Sequence, residues 1–447
     1  MLGSGTRRRR RQAAASTVLG LLLVGAAGVP AHAESTREQQ WFLDAMKAEQ
    51  MWRTSTGEGV TVAVIDTGVD ATNPDLRGRV LPGRDFAPDQ PGDEHTDYEG
   101  HGTGMAGLIA GTGAYGGGNG AFGLAPGAKI LPVRLPESGE VNQAEGDKRF
   151  NEAASKAIRY ATDAGAQVIN ISQASPTDSS QLRSAVKYAL EKGSLIFAGV
   201  GNDGDTTNGA MYPAATPGVV GVGAVGKELH KTPESQYGPQ VDMAAPGDDM
   251  VHACGDETGL CVSHGTSDAT ALASASAALI WSKHPTWTNN QVLRVMLNTI
   301  GAPTDGAKRN DSIGYGIVRP RIALQTPGDP GPADVYPLPD LAAAASTSPS
   351  PSASETADIG ALAKDDNSAA TAPSDKDDSL LWITLGIAVL LAAGLTLAIV
   401  VRRRRTAAVT PPMPASAPGQ HPYTSGGFGP PPPAPGTAPP GQGPGSV

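Results

Sequence analysis

Positive charge is what this chain has little of. Its 34 Lys and Arg face 44 Asp and Glu, a formal net charge of −10. The basic runs, Arg7 to Arg11 and Arg402 to Arg405, both flank apolar segments. Membrane topology explains them better than phosphate binding, so no nucleic-acid partner is expected. Cysteine is scarce too, with only Cys254 and Cys261, both inside "ACGDETGLC". No internal repeat is visible. Glycine (57) and proline (38) are plentiful, but much of this lies in the C-terminal third. That distribution leaves room for one large domain plus tails, not for two or three domains.

Both ends carry membrane signals. Residues 1–33 combine a basic run, a short apolar core and the small-residue triplet Ala31-His32-Ala33, which reads as a secretory signal cut after Ala33. An uncleaved anchor is the alternative. Export places the two cysteines in an oxidising compartment, where they would close a small hairpin loop. A loop this short stabilises by about 2 kcal/mol at best, so its role is local bracing. Residues 380–401, Leu380 to Val401, form an uncharged apolar run long enough for one transmembrane helix. The arginines that follow set its C-terminal end in the cytoplasm and residues 34–379 outside. Residues 326–379, rich in Ala, Ser, Pro, Thr and Asp, read as a disordered linker. Residues 402–447 read as the stop-transfer run and a Pro/Gly-rich cytoplasmic tail.

Between these segments strand and helix patterns alternate. Residues 34–58 form an extension with a leading helix, in which Trp41, Phe42 and Met46 are available for packing. "GVTVAVID" and "SLIFAGVGN" are apolar strands. "QLRSAVKYALEKG" puts Leu182, Ala185, Val186, Ala189 and Leu190 on one helical face, and "NNQVLRVMLNTIG" does the same with Leu293, Met296, Leu297 and Ile300. Such alternation over residues 59–325 predicts a parallel α/β sandwich, with functional groups where strands end and helices begin.

Three motifs supply matching chemistry. "VAVIDTGVD" puts Asp66 at the end of a buried strand, "HGTGMAGLIAG" puts His101 at the head of a small-residue helix, and "HGTSDATA" puts Ser267 at a turn opening a third helix. A serine hydroxyl needs a base to take its proton; an imidazole suits that work, and a buried carboxylate holds its tautomer. Each motif alone is weak. The ordered set of three is much less ordinary.

Residues 59–322 resemble a subtilisin-like serine protease, on "VIDTGVD", "HGTGMAG", "YPAATPGVVGVGAV", "APGDDMV" and "GTS…SKHP" in order. The resemblance implies a three-layer sandwich with a mostly parallel sheet and an Asp66–His101–Ser267 triad. "FAGVGNDG" carries the family's oxyanion-hole asparagine onto Asn202. "INISQAS" places Ser172, Gln173 and Ala174 along the primary substrate pocket, although the family's Leu-Gly-Gly is missing there. A second substrate-binding segment falls near Pro136 to Glu140. The family's calcium loop would fall near "AYGGGNGAFG", which lacks carboxylates, so no metal and no cofactor are expected. The stretch from 34 to 66 is too short for the folded pro-domain of secreted subtilisins. With the C-terminal membrane helix and brief tail, it resembles the mycosins, membrane-anchored subtilisin-like proteases associated with type VII secretion. Exported polypeptides are then the expected substrates, and type VII membrane components the expected partners. A stand-alone surface protease, an inactive scaffold of a secretion assembly and a serine esterase are the other readings.

One residue departs from the pattern. Asp268 follows the candidate nucleophile where the family has an apolar residue, and the later proline and glycine are replaced by Ala271 and Ala275. A carboxylate there would oppose an oxyanion by roughly 2 kcal/mol at about 7 Å and an effective dielectric near 20. It would also favour protonated His101. On the leaving-group (S1′) side it would disfavour acidic P1′ residues, and Asp268→Ala would raise activity.

Overall fold

The computed structural model describes residues 35–137, 141–255 and 259–347. The expected signal 1–33, the linker beyond 347, the apolar span 380–401 and the tail 402–447 lie outside the described residues. Among those described, no helix is long and apolar enough to cross a membrane.

The leading helix is three short ones: α1 (Thr36–Gln39), α2 (Trp41–Met46) and α3 (Ala48–Trp52). Ser35 and Glu38 form a capping box at the start, and Lys47, at φ 61°, separates α2 from α3. This segment is clamped to the domain. Phe42 and Met46 are buried, and the Trp41 indole N–H donates to the Asp248 carbonyl at 2.9 Å. The Gln40 amide donates to the carbonyls of Phe122 and Val251 and accepts from the Phe122 N–H.

The core is a seven-stranded parallel sheet. Its strands are β1 (Thr61–Asp66), β2 (Arg84–Asp85), β3 (Lys129–Arg134), β4 (Val168–Ile171), β5 (Leu195–Gly199), β6 (Val220–Val225) and β7 (Met243–Pro246), in the order β2-β3-β1-β4-β5-β6-β7. Parallel strands covered on both faces should read as continuous apolar runs, and β4 to β7 are buried throughout. The two-residue period divides β1 between two cores: Val62 and Val64 pack on one side, Ala63 and Ile65 on the other. Helices α4 (His101–Ala110) and α7 (Thr266–Lys283) cover the first side; α5 (Gln143–Asp163) and α6 (Ser180–Glu191) cover the second. The result is three layers, as the motif resemblance implies.

Helix α7 runs through the middle of its layer and is buried nearly all round, which suits its Ala, Ser and Thr content. Two of its hydroxyls bond within the helix, Thr270 to the Thr266 carbonyl and Ser276 to that of Leu272, and Ser274 donates across to Asn170 Oδ1 on β4. Helices α8 (Asn289–Asn298) and α9 (Pro320–Gln325) meet its far half, around Ser276 and Ile280. A hairpin of β8 (Met250–Ala253) and β9 (Leu260–Ser263) leads into its start. Cys254 and Cys261 are joined, with Cα atoms 5.8 Å apart, and staple that hairpin.

The expected linker begins too early at 326. The Arg294 guanidinium donates to the carbonyls of Pro330 and Pro332, at 2.7 and 2.9 Å, and to that of Val335. Leu338 is buried, and Asp340, opening α10 (Asp340–Thr347), accepts the Gly218 N–H at 2.6 Å. A proline-rich stretch offers few donors, but its carbonyls remain free for a guanidinium, so composition misjudged this strap.

Near the strap, burial pushes the Asp242 carboxyl up to about 8. The Gly221 N–H works against that shift, and Asp340 adds to it. A raised folded-state value means the group favours folding most below its unfolded value, near 3.8, and loses that contribution as pH rises toward 8. Asp242→Asn is therefore expected to flatten the decline in stability from mildly acidic to mildly alkaline pH. Denaturant unfolding of both proteins across that range checks it; parallel curves would count against a buried, proton-holding Asp242.

Candidate active site

In this order of strands, β1 has β3 on one side and β4 on the other, so the chain changes direction there. Groups at the carboxyl end of β1 face the crevice this creates. Asp66 is the last residue of β1 and is fully buried. Its Oδ1 accepts from Nδ1 of His101 at 2.7 Å and from the Thr67 N–H at 2.8 Å. A carboxylate only accepts, so Nδ1 carries the proton and Nε2 is left toward the crevice. The His101 side chain stays one-third exposed.

Asp97 organises the start of α4. Its carboxylate accepts from the N–H and hydroxyl of Thr103 (2.7 and 2.6 Å), from the Gly100 N–H and from the Thr67 hydroxyl. An acid at a helix N-terminus is favourable, and this one also ties α4 to the end of β1. Sequence reading passed over it; an acidic residue four positions ahead of a small-residue helix was the available signal.

The Asp66 charge, against the opposing effect of burial, raises the His101 imidazole to about 9, and Asp97, with Asp268 when it is ionised, adds to the rise. This bears on Ser267, the second residue of α7. Its hydroxyl donates to the Ser172 carbonyl at 3.1 Å, and the Ser172 hydroxyl donates back to the Ser267 carbonyl at 3.3 Å. A protonated imidazole has no lone pair to accept a serine hydrogen, so this hydroxyl can pass its hydrogen to His101 only once Nε2 is free of its proton.

Asn202 lies against the start of α7. Its Oδ1 accepts from the N–H and hydroxyl of Thr266 at 2.9 and 3.0 Å. With the amide oxygen committed to two donors, Nδ2 is left to donate. Gly265 makes this approach possible: its φ is 136°, and a Cβ there would sit 3.0 Å from Asn202 Nδ2.

Of the expected substrate-binding residues, Gln173 and Ala174 line a cavity of about 340 Å³ with Glu99, Pro136, Glu137 and Asn142. Burial, with Glu137 adding to it, pushes the Glu99 carboxyl up. Ser172 instead braces the Ser267 backbone. Residues 138–140 of the second expected segment lie outside the described residues.

The glycine-rich loop, itself without carboxylates, is braced by one from outside it: Asp75 accepts the N–H groups of Tyr115 and Ala121 at 2.7 and 2.9 Å. One expectation needs correction. Asp268 does not border the leaving-group side as an open charge. It is 1% exposed, and its carboxyl contacts the Ser263 hydroxyl inside the protein. Burial, against smaller opposing effects of Ser263, His252 and His101, pushes its pKa up.

The sequence model of the Subtilase family matches residues 57–316. An intracellular serine protease of Paenibacillus polymyxa is 35% identical over 214 residues, 47% of this chain and 63% of that protein. The chain thus spans less than two thirds of that curated relative's length. Among solved structures, MycP1 from Mycobacterium smegmatis superposes with a TM-score of 0.59 at 27% identity, over 69% of this chain and 90% of that one. The periplasmic assembly from the ESX-5 inner membrane complex contains a chain with a TM-score of 0.59 at 26% identity, over 76% of this chain and 92% of that one. The family match covers more than half of the 447 residues, on the fold and motifs described above: this chain belongs to the Subtilase family.

Proposed function

We propose that the protein is an extracytoplasmic serine endopeptidase, anchored by residues 380–401, that processes exported polypeptides in a type VII secretion setting. The observation that carries the catalytic reading is the 2.7 Å bond between Asp66 and His101 at the turning point of the sheet, with Ser267 at the head of α7. In the working cycle His101 gives up its excess proton, and Nε2 then accepts the Ser267 hydrogen as Oγ attacks the peptide carbonyl. The resulting oxyanion is met by Asn202 Nδ2 and the Ser267 N–H, at the positive end of α7. Collapse breaks the C–N bond, His101 protonates the leaving amine, and water releases the acyl group by the same steps. Support for the secretion setting comes from the likeness to MycP1 and to a chain of the ESX-5 assembly.

Asn202→Ala is expected to lower kcat by roughly 10²–10³ with little change in KM, because the donor acts on charge that exists only in the transition state. Steady-state kinetics on a peptide substrate measures this. A weakened or inactive scaffold is the second reading, favoured by the Ser267 hydroxyl pointing at Ser172 and by the raised His101. Fluorophosphonate labelling of the full chain decides between them. Labelling that requires Ser267, together with altered N-termini among exported proteins when Ser267 is alanine, supports the protease. An unlabelled, folded protein would leave the scaffold.

A further inference from the structure

Behind the nucleophile lies a second chain of polar groups that the proposed reaction does not use. His252 on β8 is buried; its Nδ1 lies 2.8 Å from the Ala253 carbonyl and its Nε2 lies 2.9 Å from Ser263 Oγ. Ser263, at the end of β9, contacts Oδ1 of the buried Asp268. The hairpin register explains the meeting. His252 pairs with Cys261, two residues before Ser263, so His252 and Ser263 share one face of the stapled hairpin. Helix α4 makes room for the ring: a Cβ on Gly104 would lie 2.6 Å from His252 Cε1.

Hydrogen counting restricts the protonation of this chain. A carbonyl only accepts, so His252 Nδ1 must carry a hydrogen. Ser263 has a single hydroxyl hydrogen to share between Nε2 and Oδ1. Both contacts are hydrogen bonds only if one further proton is present. Either Asp268 is a carboxylic acid that donates to Ser263, which donates to neutral His252, or His252 is an imidazolium that donates to Ser263, which donates to the Asp268 carboxylate. Both arrangements have zero net charge, and a concerted shift of two hydrogens interconverts them. Removing the extra proton leaves a buried carboxylate and one contact without a hydrogen, which is costly away from water.

We propose that Asp268, Ser263 and His252 form a proton-holding relay that keeps the position beside the nucleophile electrically neutral during acyl transfer. The three are positioning residues, and the proposal rests on the reading of Ser267 as nucleophile. It reverses the expectation drawn from sequence: the acid after Ser267 is not an open charge opposing the oxyanion but half of a neutral pair that also pins the first turn of α7 to the hairpin. Burial lowers His252 and raises Asp268, which favours the arrangement with both neutral. The ionisable group facing the relay from α4 is His101, itself held by Asp66 from β1 and close to Asp97. Strands β4 to β7, packed under α7, carry no ionisable side chain. When the relay loses its proton to solvent, the Asp268 charge acts on His101 and on the oxyanion.

The test compares Asp268→Asn and Asp268→Ala on the full chain. An asparagine amide can donate to Ser263, which donates to His252, so it reproduces the bonds without a titrating proton. Alanine leaves Ser263 without its link to α7 while its contact with His252 remains, and kcat/KM should fall by about tenfold, with asparagine restoring most of the loss. For the wild type, kcat/KM should rise as His101 loses its proton and fall again as the relay loses its own. The asparagine variant should keep the rise and lack the fall. Superimposable pH profiles for wild type and Asp268→Asn, or equal losses for both variants, would overturn the relay. A readout independent of turnover is nitrogen NMR of His252 in the Ser267→Ala protein. Nδ1 should be protonated, and its signal should shift at alkaline pH only while residue 268 is aspartate. An unprotonated Nδ1 at neutral pH would also overturn it. Persistent hydrolysis by Ser267→Ala would sink the nucleophile assignment alone, because the NMR reading does not depend on it.

Discussion

Ser267→Ala is expected to lower peptide hydrolysis by a factor on the order of 10⁶ while the protein remains folded. The size follows from the division of labour in a nucleophile–base pair: without Oγ there is no acyl intermediate, and only transition-state electrostatics and binding remain. The fold should survive because the hydroxyl makes one hydrogen bond, to the Ser172 carbonyl, which the crevice lets water replace. The return bond from Ser172 ends on the Ser267 carbonyl, which alanine keeps. Loss of activity with an unchanged unfolding curve is the expected pair of results. A residual rate within tenfold of wild type would remove Ser267 from the reaction.

Asp66→Asn is the second large effect. The Asp66 charge is the main cause of the raised His101, so its removal should move the rising limb of kcat/KM to lower pH, away from about 9. The same change should cost roughly 10⁴-fold in kcat. An asparagine can present its NH₂ group to Nδ1, which stabilises the tautomer with hydrogen on Nε2, and that nitrogen can no longer accept from serine. The two consequences separate a catalytic role from a structural one. Damage to the fold would lower the rate at every pH without shifting the limb. A pH–rate profile with the limb in place would argue that Asp66 does not act through His101.

The layered architecture was legible because it rests on period and residue type. "GVTVAVID" could only be a buried strand, and Leu182, Ala185, Val186 and Ala189 did fall on the buried face of one helix. The Asp66–His101 contact followed from placing each motif at a strand end or helix start. What escaped were the partners that side chains find across the fold. Nothing local says that Asp75 will enter a loop some forty residues away, or that Asp268 will turn inward to Ser263, five residues earlier, which in turn meets His252 on the paired strand. A charge read from sequence was assigned to solvent because its neighbours were unknown. The proline-rich strap failed for a related reason: composition predicts the structure a segment can make by itself, not which carbonyls an arginine elsewhere will hold.

The strap has a mechanical consequence. It joins the domain near Gly218, just ahead of β6 and so at the opposite end of the sheet from Asp66. Tension arriving through the chain beyond residue 347 would be shared first among the Asp340 contact, the buried Leu338 and the strap carbonyls held by Arg294, Thr288, Asn290 and Gln291. These bonds divert the load to α8 and to the start of β6 before it can follow the chain back to α9. The Ser267 end of α7, away from the half that α8 and α9 meet, is thus set apart from traction on whatever follows, much as a strain relief protects a connector from its cable.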